Sequence, residues 1–539
     1  MRRFGIQGCV YPKENYVVLR TEEGAEFINR VKDGKYIVLF APRQTGKTTF
    51  FRWALEALTA ENPTYFPIQL DFQLVRNTTP ATFYERLYKM IRSEIDNVFQ
   101  DQGNIPSETS TQFLANTPLT DSFSMVEFFK QFASFLVHHT HWQKVVLLID
   151  EFDGIPQVVV SDFLYALRHI YLSRKPRCLH SVGIFGVKSI MQLDYDRSVS
   201  PFNIQDEFRL PNFTLEQVQE LLGQYTDEVG QTFAPEVIES IHKQTAGQPV
   251  LVNRLAQILT EEMCIPETQP IMIAHFLEAH TQLLRGRNTN IEHLTTNIRK
   301  DIRFERVLMR IMAHEDGVDF NLRDEIIDEL ATYGVISEGA DGLCEIANPI
   351  YLYAILQAFK PAVNRLEDEY FPEDTGEGFL DYLTPTGQMD MERLLNNFRD
   401  FIARAGFKIF QVPDTPQESV GRHLLLTYLD QFVRLVGGVM HIEVQTGRGR
   451  MDLLITHKGR KYIIETKIWR GNNYYQAGKK QLAAYIASEK ATEGYYVIFD
   501  HRQAPEPRVE TETLDGVTIR SYVIPVMQEV PSNTLHRKM

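Results

Sequence analysis

Cysteine is scarce in this chain: Cys9, Cys178, Cys264 and Cys344 are scattered over 539 residues. That spacing suggests neither a disulfide framework nor a clustered zinc site, and reduced, mostly buried thiols are expected. No apolar run approaches the roughly 20 residues needed to cross a bilayer. The start, MRRFGIQGCVYPKENY, is basic but lacks the apolar centre of a secretory signal. A cytoplasmic protein without a membrane partner is expected. Low-complexity tracts and internal repeats are also missing. With 43% hydrophobic and 23% charged residues, the chain has enough apolar material to fold throughout. Its length exceeds what one core organises, so two to four domains are expected.

An overall positive charge is lacking too, since the sum is −14. Between residues 386 and 510, however, 18 Lys and Arg face 14 Asp and Glu, a local +4 that leaves −18 elsewhere. Phosphate attraction acts within a Debye length of about 8 to 10 Å. The local balance therefore permits nucleic-acid binding in the last quarter of the chain.

Strands and helices alternate in the first half. KYIVLF (35–40), TYFPIQLDF (64–72), VVLLID (145–150) and HSVGIFGV (180–187) read as strands, separated by helical stretches such as ATFYERLYKMIRSEI. Such alternation predicts an α/β fold with a parallel sheet covered on both faces. Residues 214–262 read as a mostly helical unit. Helices then continue over 291–338 and end in two short β runs around GADG, the pattern of a winged helix. EDEYFPEDTGEGFLDYLTP (367–385) reads as an acidic connection.

After the first strand comes Ala41-Pro42-Arg43-Gln44-Thr45-Gly46-Lys47-Thr48, the Walker A pattern with Ala41 in place of the first glycine. In such a loop backbone N–H groups and a helix N-terminus surround phosphates, Lys47 neutralises β/γ charge and Thr48 ligates magnesium. Thr49 completes the set expected at the nucleotide. The strand VVLLID delivers Asp150 and Glu151 at its carboxyl edge, where open α/β sheets bind ligands. Asp150 is expected to hold magnesium and Glu151 to polarise the attacking water. A core strand that happens to end in two solvated acids is the alternative.

FAPRQTGKTTF, LLIDEFD, SVSPFNI with LPNFTLEQV, and TAGQPVLVNRL resemble the AAA-like ATPases related to the STAND and ORC-type lineage, over residues 15 to about 360. The resemblance implies ATP-dependent switching or assembly, with a helical lid and a winged helix after it. Gly247-Gln248-Pro249 looks like that lineage's GxP element, and Lys188 stands where its sensor-1 residue is expected. No arginine finger is assignable.

In GRGRMDLLITHKGRKYIIETKIW two antiparallel strands flank the turn HKGR, with Asp452 on the first and Glu465 and Lys467 on the second. Side chains alternate along a strand, so Glu465 and Lys467 share a face. Two carboxylates can hold Mg²⁺ or Mn²⁺, which acidifies bound water, while Lys467 orients that water or balances charge. The Thr466 carbonyl is a further expected ligand. An exposed salt-bridged pair is the rival reading. With the acid-bearing helix of Glu418 before it and the helix of Gln481 after it, the stretch 390–500 resembles the PD-(D/E)XK nuclease superfamily, in its AAA-ATPase-linked branch. This implies a mixed sheet flanked by helices, Glu418 as an additional metal ligand and Gln481 as a catalytic polar residue. Arg448, Arg450, Lys458, Arg460, Lys461, Arg470, Lys479 and Lys480, with Trp469, Tyr474 and Tyr475, are candidates for a phosphate-contacting rim.

The expected organisation is an ATPase core over 1–210, a lid over 211–290, a winged helix over 291–365, a linker over 366–385 and a nuclease domain over 386–539. The expected function is an ATP-regulated, magnesium-dependent nuclease with nucleic acid, DNA ahead of RNA, ATP and further copies of the chain as partners. The resemblance also implies a setting in bacterial defence. The rival is a DNA-binding signalling or loading ATPase whose C-terminal module does not cut, and a third reading is a nucleotide-gated scaffold that never hydrolyses ATP.

Overall fold

The structure is a computed structural model and describes residues 2–42, 44–101, 108–187, 204–286, 288–313, 318–358, 382–405, 417–446, 449–502 and 506–526. A short strap pairs β1 (Arg3–Phe4) in parallel with β2 (Asn15–Tyr16). There follow α1 (Thr21–Lys32), β3 (Tyr36–Phe40), α2 (Lys47–Glu61), β4 (Tyr65–Asp71), α3 (Pro80–Asp101), α4 (Glu108–Asn116), α5 (Ser122–His139), β5 (Lys144–Asp150), α6 (Gln157–Leu172), β6 (Ser181–Gly186) and β7 (Gln205–Glu207). The strands form a parallel sheet in the order β4-β5-β6-β3-β7. Their apolar runs are continuous because both faces are covered. Tyr36 and Val38 pack among residues of α3, α5 and α6, while Ile37 and Leu39 pack among residues of α1 and α2. Leaving β3, the chain crosses over β6 and β5 to reach β4, and this reversal opens a crevice at the carboxyl ends of the strands.

A helical unit follows: α7 (Leu215–Val229), α8 (Pro235–Thr245), α9 (Pro249–Gln257) and α10 (Ile273–Arg285). Its starts were written locally. Thr214 and Gln217 form a capping box, and prolines open α8 and α9 where no N–H is needed. Next come α11 (Thr289–Ile298), α12 (Ile302–Ala313), α13 (Glu325–Thr332), the antiparallel pair β8 (Ile336–Glu338) and β9 (Cys344–Ile346), and α14 (Pro349–Ala358).

The last part contains α15 (Met391–Ala405), α16 (Gln417–Leu435), β10 (Val439–Thr446), β11 (Gly449–His457), β12 (Arg460–Ile468), α17 (Asn472–Ser488), β13 (Glu493–Asp500), β14 (Arg508–Leu514) and β15 (Val517–Pro525). These strands form a mixed sheet, β10-β11-β12-β13-β15-β14, in which β12, β13 and β15 run parallel and the other pairs antiparallel. Helix α17 covers one face. The other face joins a single buried cluster that runs from Phe4 through the helices α7–α16 to Val526. The acidic connection expected over 366–385 falls largely outside the described residues. Among those described, no helix is long and apolar enough to cross a membrane.

Candidate functional site

The loop between β3 and α2 is built for close approach to its backbone. Gln44 (φ 63°) and Gly46 (φ 84°) adopt the left-handed region, and Gly46 caps α2. Ala41 lies outside that region, so a Cβ is tolerated where the usual pattern has glycine. Lys47 is buried, and its Nζ donates to the carbonyls of Ala41 (2.8 Å) and Pro42 (2.7 Å). Thr45 Oγ1 donates to Pro42 at 3.0 Å. Thr48 Oγ1 donates to Asp150 Oδ2 at 2.6 Å, which joins the loop to the end of β5. Glu151 follows in the left-handed region, and its N–H donates to Asp150 Oδ1 at 2.9 Å. Hydroxyl, carboxylate and ammonium therefore converge at a helix N-terminus, the arrangement a phosphate with its magnesium requires. Arg43 and Lys188 lie outside the described residues. Thr49 faces elsewhere: its Oγ1 accepts the Val10 N–H at 3.3 Å, tying the N-terminal strap to α2.

Beside the loop lies a cavity of about 360 Å³ between the strap, α2 and the helical unit, lined by Val18, Gln44, Phe50, Phe213 and Asn253 among others. It is large enough for a purine base. The Asn253 amide nitrogen donates to Pro249 at 2.8 Å, whereas its Oδ1 is buried without a partner and is available to an amino group. Gly247 fixes this side of the cavity, because its carbonyl accepts the Phe213 N–H at 2.8 Å.

The second constellation stands where the β11–β12 ladder opens. Register pairs Leu453 with Ile464 and Leu454 with Ile463, so continuation of the same register sets Asp452 opposite Glu465. There the side chains take over from backbone partners. The Asp452 N–H donates to Glu465 Oε2 at 3.4 Å, and Asp452 Oδ2 accepts from Thr466 N (2.7 Å) and Oγ1 (2.9 Å). Lys467 Nζ lies 3.0 Å from Glu465 Oε1, and Arg422 of α16 lies 3.9 Å from Asp452 Oδ1. Burial, then the charge of Asp452, pushes the Glu465 carboxyl up to about 7 despite Lys467. Burial acts on Asp452 in the same direction, but Arg422, Lys467 and the Thr466 hydrogen bonds outweigh it and hold its carboxyl low. One acid site thus stays ionised while its neighbour holds a proton readily, the signature of carboxylates forced together.

The structure brings Asp452, Glu465, Thr466 and Lys467 together. The Glu418 side chain lies outside the described residues, and among those described no three His, Cys, Asp or Glu side chains form a metal-sized group. Gln481 is exposed on α17, and its amide donates to the Tyr485 hydroxyl one turn on, at 2.7 Å, not to the acids. The basic rim is corrected in part. Lys479 is buried and paired with Glu510 and Glu512, Lys461 with Glu489, and Arg460 with Glu493. Arg470 and Tyr474 stack at 5.6 Å beside the opening.

Comparison with known proteins bears on the first constellation directly. The family model for an AAA-like domain matches residues 11–342. The chain belongs to the AAA-like domain family. The matched AAA-like domain spans the phosphate loop, Asp150, Glu151, the cavity and the helices through α13. Residues 388–503, which carry Asp452, Glu465 and Lys467, match a domain of unknown function (DUF8371). An uncharacterized WD repeat-containing protein of Synechocystis is 23% identical over 270 residues, covering 48% of this chain and 22% of that relative. The chain therefore spans less than a quarter of the length of that curated relative. Among solved structures, a Walker-type ATPase of Pyrococcus abyssi is 15% identical with a TM-score of 0.45, over 65% of this chain and 99% of that one. Cdc6p from Pyrobaculum aerophilum is 11% identical with a TM-score of 0.32, over 66% and 97%.

Within the AAA-like domain the sequence reading missed Asn253, about two hundred residues from the loop it serves. It also missed Arg422, although that residue sits four positions after Glu418, on the same helical face.

Proposed function

We propose that this AAA-like protein is a nuclease controlled by its nucleotide, with an ATPase core over 1–210, a lid over 211–290, a winged helix over 291–365 and a nuclease domain over 386–539. The meeting of Asp452, Glu465 and Lys467 at an opened strand pair carries the proposal. Two carboxylates and a backbone carbonyl at Thr466 are hard oxygen donors suited to Mg²⁺ or Mn²⁺. Such a cation, when bound, lowers the pKa of water and offsets charge on a phosphodiester. Lys467, fixed by Glu465, orients the water and balances the charge that develops. At the other site Lys47 engages the β/γ-phosphates, Thr48 and Asp150 hold magnesium, and Glu151 polarises the hydrolytic water.

The trial is cleavage of plasmid and single-stranded DNA in Mg²⁺, alongside ATP turnover. Lys467→Ala is expected to lose cutting by about a hundredfold or more while ATP turnover persists. Lys47→Ala is expected to lose ATP turnover and the ATP dependence of cutting. Cutting that survives intact in Lys467→Ala refutes the site, and ATP-dependent cutting in Lys47→Ala refutes the coupling. One observation favours a DNA-binding loading ATPase with an idle C-terminal module: the pairing of Arg460, Lys461 and Lys479 with glutamates removes part of the basic rim. Failure of the full chain, without nucleotide, to take up Mn²⁺ in the presence of a DNA duplex decides for that reading.

A further inference from the structure

Arg422 brings a second cation to the acids from a different part of the chain. It lies on α16, whereas Asp452, Glu465 and Lys467 come from β11 and β12. Its side chain is 12% exposed and that of Asp452 16%, so the charges face each other with little water between. Lys467 stands on the opposite carboxylate at 3.0 Å. Two carboxylates are thus already matched by two cations. A divalent ion entering such a site meets a fixed guanidinium next to its ligand, and like-charge repulsion in partly buried surroundings is several-fold stronger than in water.

Arg422 Nη2 stands 3.9 Å from Asp452 Oδ1, within electrostatic reach of the acid. The planar array of donors on a guanidinium matches a phosphate better than any other side chain. The same helix carries Asp430, whose Oδ1 accepts the Tyr353 hydroxyl of α14 at 2.6 Å in a buried position. Helix α16 therefore runs from the acids to the helices that follow the lid.

Resting on the nuclease reading, we propose that Arg422 is a phosphate-binding residue that couples cation uptake to nucleic acid. Without nucleic acid its charge weakens cation binding at Asp452. When a phosphodiester arrives, the guanidinium turns to the phosphate oxygens, its repulsion is neutralised and the acids accept the cation. The site is armed by its substrate.

The test is Mn²⁺ binding to the full chain without nucleotide, followed by electron paramagnetic resonance, with Asp452→Asn as the blank. A phosphorothioate-backbone DNA duplex is expected to tighten Mn²⁺ binding by the parent about tenfold or more. Arg422→Gln is expected to bind Mn²⁺ that tightly with no DNA present and to lose the response to DNA. Arg422→Lys, which keeps the charge, retains a response. Equal Mn²⁺ affinity in the parent and Arg422→Gln overturns the proposal, as does a parent indifferent to DNA, a result that needs no variant to fold. Undiminished Mn²⁺ binding in Asp452→Asn overturns instead the reading of the acids as the cation site.

Discussion

At Gly247 a Cβ would lie 1.8 Å from the Phe213 carbonyl oxygen, and φ is +69°. Space and backbone both demand glycine there. The expected cost of Gly247→Ala is at least about 2 kcal/mol, seen as a lower Tm in calorimetry, with weaker ATP binding because Phe213 lines the cavity. An unchanged Tm would contradict the contact. A glycine between a helix and a proline was legible as a turn, but the sequence held no sign of the carbonyl pressed against it. The acids behave oppositely. Asp452, Glu465 and Lys467 could be placed together because a two-residue turn and the strand period fix who faces whom. Arg422 could not, because a helix thirty residues upstream reaches them only through tertiary packing.

Among the elements, the β11–β12 hairpin controls the site. Its turn residues Lys458 (φ 46°) and Gly459 (φ 77°) are both left-handed, the geometry that matches strand twist in two-residue hairpins. Register follows from that turn, and a slip by one residue would carry Asp452 to the other face. Gly459→Ala is expected to cost about 1 kcal/mol in denaturant titrations, and no loss would mean that the turn does not constrain the pair. A second link is Tyr353 to the buried Asp430. Tyr353→Phe is expected to destabilise by about 1 to 2 kcal/mol and to blunt the effect of ATP on cutting; full ATP response would exclude α16 as the connecting element. The P-loop strand and its neighbours were readable as apolar runs covered on both faces. The strand β14, RVETETL, was not, because as an edge strand with three of its seven residues exposed and none fully buried it carries no apolar signature.

Over the whole molecule, the helices α7–α16 and one face of the C-terminal sheet share one buried cluster with the N-terminal strap, while the P-loop sheet keeps two clusters of its own. Composition could not reveal this, since both halves have ordinary apolar content. His280 of α10 stacks on His441 of β10 within the cluster, ring centroids 5.1 Å apart. Burial, then its partner's charge, pushes His280 well below the usual 6.5, and burial with the charge of Lys461 pushes His441 down to about 4. Both rings are neutral in the packed state. Their contribution to the contact is complete above about pH 6.5 and is lost as pH falls towards 4. Hydrogen exchange over 273–285 and 439–446 is expected to speed up between about pH 7 and pH 5, after correction for intrinsic rates, and replacing both histidines by Phe and Leu should remove the effect. Equal protection at both pH values would show that the rings do not control the contact. The claim on which the account turns is that the acids of the C-terminal sheet hold a divalent cation. Anomalous diffraction from crystals of the full chain grown with Mn²⁺ and a DNA duplex tests it most directly. A peak bonded to Asp452 and Glu465 at about 2.1 to 2.2 Å is predicted; a saturated crystal with no peak there, and both carboxylates still facing Arg422 and Lys467, would contradict it.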